Sequence, residues 1–170
     1  MLLASLLTAA CSPPTVSITA VFRKDDQPWA LFHPCGEALV VGVSLYEMAK
    51  DRHLVTATTP GPRPSAAYVE DRSWRIDRGT ADGGITELRL LEVPAGWSQQ
   101  TEERKRITEF VTPYAYDVRA DTDKPHLGHD RGITFTLADL TSLDDGEVWA
   151  GRNPRAMTRD EFYREAEERC

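Results

Sequence analysis

The chain has 170 residues, 41% of them hydrophobic and 28% charged, with a formal net charge of −7. That length suits one domain burying roughly 70% of its unfolded surface, and so ordinary a composition argues against a mainly disordered or collagen-like chain. The acidic balance argues against a phosphate-neutralising surface and so against a nucleic-acid partner, and no apolar run reaches the ~20 residues of a spanning helix.

The segment from Met1 to Ala10 (MLLASLLTAA) is uncharged, mostly apolar, and ends in the small residues Thr8, Ala9 and Ala10 directly before Cys11. An apolar stretch of this kind is too short to cross a bilayer and reads as the h-region of a signal peptide. Thr8-Ala9-Ala10-Cys11 looks like the lipobox of bacterial lipoproteins, in which the cysteine thiol carries diacylglycerol and the new amine is acylated. The stretch lacks a positive n-region and has Thr8 where Leu is commoner, so a translation start upstream of Met1 is expected. The expected organisation is a signal peptide over 1–10, a lipidated Cys11 with a short spacer over 11–14, and one domain over 15–170.

From Thr15 onward, period-2 alternation dominates. Val16, Ile18, Ala20 and Phe22 alternate with Thr15, Ser17 and Thr19, and Val41, Val43 and Leu45 share one face of the next apolar run. Trp74 with Ile76, Leu88 with Leu90, Tyr114 with Tyr116 and Val118, and Ile133 with Phe135 and Leu137 repeat the pattern. Half-buried strands look like this. Turn chemistry separates them at Asp25-Asp26, Pro60-Gly61-Pro62, Asp82-Gly83-Gly84, Pro94-Ala95-Gly96 and Asp144-Asp145-Gly146. No long helix stands between consecutive strands, so a parallel βαβ sheet is disfavoured. Seven or so strands then predict a mainly β fold, an antiparallel immunoglobulin-like β-sandwich, with a small β-barrel as the alternative. The charged run Gln99–Glu109 reads as a solvated face, either a short helix or a crossing loop, with a partner-binding loop as the sharper alternative.

The C-terminus predicts a helix over 158–169. Thr158 with Glu161 forms a capping box, Met157 with Phe162 a hydrophobic staple, and Phe162, Ala166 and Cys170 fall on one face. Three cysteines are an odd count for an exported protein. With Cys11 spent on lipid, Cys35 and Cys170 remain to form one disulfide in an oxidising compartment.

Residues that carry chemistry are sparse. His126 and His129, three apart with Asp121 and Asp123 upstream, are the candidates for a metal, but the loop's Pro, Gly and Asp content reads as an exposed turn. His33, two before Cys35, would serve a thiol nucleophile, a role the disulfide takes away. No nucleophile elbow, phosphate loop, dinucleotide turn or zinc-protease helix occurs, so no catalytic residue and no cofactor is assigned. Trp29 and Trp74 belong to strand patterns, whereas Trp97 follows Pro94-Ala95-Gly96 in a loop and is the candidate exposed ring for a ligand.

The pattern as a whole, Leu7-Thr8-Ala9-Ala10-Cys11, then Pro34-Cys35-Gly36, Asp145-Gly146-Glu147-Val148-Trp149 and the closing Phe162 to Cys170, resembles small uncharacterised lipoproteins of high-GC Gram-positive bacteria. The resemblance implies a domain anchored by lipid to the extracytoplasmic face of the cell membrane, with a binding or structural role and an envelope protein or glycan as partner. The alternative is a secreted hydrolase or metal-dependent enzyme using His126, His129 or His33.

Overall fold

The computed structural model describes residues 15–48, 72–79, 84–124 and 129–170, with the backbone alone described at 15–17 and 129–131. In chain order the elements are β1 (Thr15–Lys24), β2 (Gln27–Pro34), β3 (Val40–Met48), β4 (Ser73–Arg78), β5 (Glu87–Arg89), β6 (Trp97–Gln99), a 3-10 turn (Glu103–Lys105), β7 (Ala115–Thr122), β8 (His129–Arg131), β9 (Ile133–Thr136), α1 (Leu137–Thr141), β10 (Glu147–Ala150), β11 (Arg155–Thr158) and α2 (Arg159–Arg169). One sheet has the order β11-β10-β1-β2-β5, with β8 running parallel to the start of β1; the other has the order β6-β4-β3-β7-β9. The two sheets pack on each other as a β-sandwich, and α2 closes the outer face of the first. The strands form two open sheets rather than a barrel, and their number among the described residues, eleven, exceeds the seven or so read from alternation.

The hairpin β1–β2 sets the geometry. Lys24 pairs with Gln27, leaving Asp25 and Asp26 as a two-residue turn, both at positive φ (51° and 56°). Such turns match the twist of the flanking strands and demand left-handed backbone at both positions. Because side chains alternate, β1 divides its burial between two cores. Val21 joins Ala30, Phe32, Val43, Leu45, Trp74, Tyr116 and Phe135 between the sheets. Ile18, Ala20 and Phe22 instead face α2, meeting Leu31, Met157, Phe162 and Ala166. The first sheet is therefore covered on both faces, which is why Ile18 to Phe22 are buried without interruption.

Three expected strand residues move. A register shift between Val40 and Gly42 adds a residue to β3, so Val40 enters the core and Val41 does not. Tyr114 precedes β7 and is exposed, while Tyr116 and Val118 are buried as the alternation predicts. Leu137 is not in β9: Thr136 ends that strand by capping α1, its hydroxyl accepting from the Asp139 N–H and its own N–H donating to the Asp139 carboxylate at 2.7 Å. The α2 cap is as expected, with Thr158 and Glu161 bonded reciprocally and Phe162 and Ala166 buried. The charged run becomes β6, the 3-10 turn and an edge segment whose Ile107 is buried.

Gly132 lies where the chain leaves β8 in one sheet and enters β9 in the other. A Cβ there would sit 2.6 Å from the Val118 carbonyl oxygen, so only glycine lets the crossing strand come this close to β7.

Candidate functional site

The disulfide joins Cys35, just after β2, to Cys170 at the end of α2, with Cα atoms 5.1 Å apart. Helical spacing brings this about: Phe162 and Ala166 hold one face of α2 on the sheet, and Cys170 continues that face. With the Cys35 sulfur bridged, no thiolate is available to a Cys-His pair. His33 points instead to α2, its ring edge-on to Tyr163 at 5.8 Å between centroids. His126 lies outside the described residues, and His129 is placed only by its backbone in β8. Among the described residues, no three His, Cys, Asp or Glu side chains come together as metal ligands. Cys11, with the rest of the expected signal and spacer, also lies outside the described residues, among which no helix is long and apolar enough to cross a membrane.

Trp97 is not the free ring of a loop. It opens the edge strand β6, pairs with Arg78, and packs half-buried against the inter-sheet core. Trp74 is fully buried, and Trp29 packs beside the outer core with the Lys24 ammonium 4.7 Å from its ring centre. Trp149 bridges the sheets, donating its Nε1–H to the Thr134 carbonyl at 3.1 Å.

The outer face of the second sheet carries rows of opposite charge. On either side of Gly42 stand Asp77 and Asp121, and Arg75 reaches both at 3.4 Å. One row along, Arg119 pairs with Asp117 at 2.6 Å, and Thr134 donates to the other Asp117 oxygen at 3.3 Å. Burial raises the Asp117 pKa above its ordinary value; Arg119 and Thr134 oppose that shift without cancelling it. Each of these three carboxylates stands in an ion pair, Asp77 and Asp121 through the same arginine.

A cavity at one end of the sandwich has a different character. It has a volume of about 720 Å³ and opens at the end of the sandwich that carries the Asp25-Asp26 turn, opposite the disulfide. Asp26, Arg89, Leu91, Glu92, Glu109 and Phe110 form its walls. The Phe110 ring anchors it to the core, edge-on to Tyr116 at 4.9 Å and tilted to Phe135 at 6.1 Å. Tyr116 is held in turn by Val111, whose N–H donates to the phenol oxygen at 2.7 Å and whose carbonyl accepts from it. Arg89 meets Glu92 at 3.6 Å, whereas Glu109 has no ion-pair partner among the described residues. Leu91 holds φ at 68°, a conformation costly for a side chain with a Cβ, so two of the three non-glycine positive-φ residues described, Asp26 and Leu91, wall this cavity.

None of these wall residues stands out in the sequence as functional. Asp26 reads as turn chemistry and Glu109 as the last residue of a solvated charge run; only the fold brings them together. Comparison with protein-family models, with curated proteins and with solved structures finds no match.

Proposed function

We propose that this chain is a lipid-anchored, extracytoplasmic binding domain, akin to the small lipoproteins of high-GC Gram-positive bacteria, held to the membrane through Cys11. The observation that carries the reading is the Cys35–Cys170 bridge. It uses two of three cysteines, fits an oxidising compartment, and leaves Cys11 as the one cysteine outside the bridge. Diacylglycerol with an acylated amine supplies the two or more chains that stable anchoring needs.

The position of β1 supports an orientation as well. Ser12, Pro13 and Pro14 separate Cys11 from Thr15, a span of at most about 14 Å. The β1 start and the disulfide would then face the membrane. The Asp25-Asp26 end, a ten-residue strand away, would stand roughly 30 Å further out.

Metabolic labelling with an alkynyl fatty acid, in a host that processes lipoproteins, tests the anchor. The parent chain, expressed from its full reading frame, should take up label and sediment with membranes, and Cys11→Ala should lose both. A parent that never takes up label, or a Cys11→Ala chain labelled like the parent, overturns the reading.

A further inference from the structure

We propose that the cavity at the far end of the sandwich docks a lysine- or arginine-rich segment of a partner protein; the inference deepens the binding-domain reading above and, in its cellular setting, rests on it. The cavity combines an aromatic wall, Phe110, with the aliphatic Leu91 and three carboxylates, Asp26, Glu92 and Glu109, against one cation, Arg89. A lysine or arginine side chain is both halves of that surface inverted. Its methylene stem lies along Phe110 and Leu91, and its charged head reaches the carboxylates and the ring face.

One of the three carboxylates is outside any ion pair among the described residues, and the other two are loosely paired at exposed positions: Glu92 meets Arg89 at 3.6 Å with its side chain 59% exposed. Glu109 has no ion-pair partner among the described residues, and the Asp26 side chain is 93% exposed, with its one cation, Arg23, 3.9 Å away. Asp25, Asp144 and Asp145 add further negative charge in the turns at this end. Elsewhere, Asp77, Asp121, Asp117 and Glu87 all stand in ion pairs, as Glu109 does not. Asp77 and Asp121 share Arg75, Asp117 holds Arg119, and in the neighbouring cavity Lys24 and Arg159 both engage Glu87. A cavity of about 720 Å³ lies within the range of ligand sites and takes one or two such side chains. A basic peptide, rather than an inorganic cation, matches a site whose walls are half aromatic and aliphatic. A partner reaching in from the envelope would also meet this end first.

The full chain with Cys11→Ala, which carries no lipid, is titrated with fluorescent hexa-arginine and hexa-lysine peptides at about 150 mM salt, where diffuse attraction is screened beyond about 8 Å. Both peptides should bind and shift the amide resonances of Leu91, Glu92 and Phe110. Glu92→Gln with Glu109→Gln should weaken binding about tenfold, while Glu167→Gln with Glu168→Gln on the exposed side of α2 removes as much charge and should change it less than about twofold. All four positions are partly or fully exposed, and a thermal melt verifies that each variant is folded. Equal losses in the two double variants, absence of binding by either peptide, or shifts centred on Asp77 and Asp121 would overturn the proposal. Since the titrated chain bears no lipid, failure here leaves the Cys11 anchor standing, and failure of fatty-acid labelling leaves this site standing.

Discussion

Asp117 is a carboxylate on the outer face of a sheet, yet its side chain is only 9% exposed. Burial disfavours its charged form, and the half-exposed Arg119 and the Thr134 hydroxyl recover only part of that cost. With a folded-state pKa above the unfolded value of about 3.9, the folded chain binds this proton more tightly than the unfolded one. The contribution of Asp117 to stability therefore falls as pH rises from about 4 through the raised folded-state value. Asp117→Asn keeps the shape without the charge. It should match the parent near pH 3.5 and exceed it at neutral pH, measured as urea midpoints across that range. A parent that gains on the variant as pH rises would show the carboxylate to be net stabilising. In sequence Asp117 was indistinguishable from the other polar residues that alternate along β7, because its neighbours, the cross-strand Tyr46 and the hydrogen-bonded Arg119 and Thr134, come from different strands or from its own strand two residues on.

At the scale of elements, the two helices share one device. Thr136 with Asp139 and Thr158 with Glu161 are both reciprocal capping boxes, and each converts the end of a strand directly into a helix. The Thr158 box was legible because Glu stands at the third position and an apolar stripe follows over four residues and more. The Thr136 box was not, because Asp is the less usual partner and α1 is only five residues long, too short for periodicity to register. Thr158→Ala should cost about 1 kcal/mol of unfolding free energy, and Thr158→Ser should restore most of it. Denaturant unfolding of the two variants checks this, and equal stability of the Ala and Ser forms would mean that packing by Phe162 and Ala166 alone sets the start of α2. The bulge in β3 has the same lesson in strand form. An apolar run, Ala38 to Val43, does not say which residue is the extra one; pairing with β7 decides that it is Val41.

At the scale of the molecule, one covalent link ties Cys170, which caps the end of α2, to Cys35 just after the first hairpin across 135 residues of chain. On the chain-entropy model such a loop stabilises by up to about 5 kcal/mol, and an eleven-residue helix does not persist alone in water. Replacing both Cys35 and Cys170 by Ser should lower the melting temperature and open α2 to proteases near its C-terminus. Limited proteolysis read by mass spectrometry, on the variant and on the parent with and without reductant, checks this. Cleavage unchanged in the variant would show that the apolar contacts of Phe162 and Ala166 hold the helix unaided. The same link distinguishes the two ends of the sandwich: one end is stapled, and the other carries the acidic turns and the cavity.

What the amino-acid order determined by itself is local. Alternation of apolar and polar residues specifies strands, Thr158 and Glu161 specify a helix start, and an odd cysteine count beside a lipobox-like segment singles out Cys35 and Cys170 as partners, because each signal lies within a few residues or in a simple count. The tertiary structure decided everything that depends on two distant segments meeting. It placed Ile18, Ala20 and Phe22 under α2 rather than between the sheets, since alternation fixes that a face is buried but not what covers it. It packed Trp97 against the core, where only pairing with Arg78 could put it. And it gathered Asp26, Leu91, Glu92, Glu109 and Phe110, from three separate loops, around one cavity, because burial, charge and ring faces combine into a site only where the chain brings them into the same few ångströms.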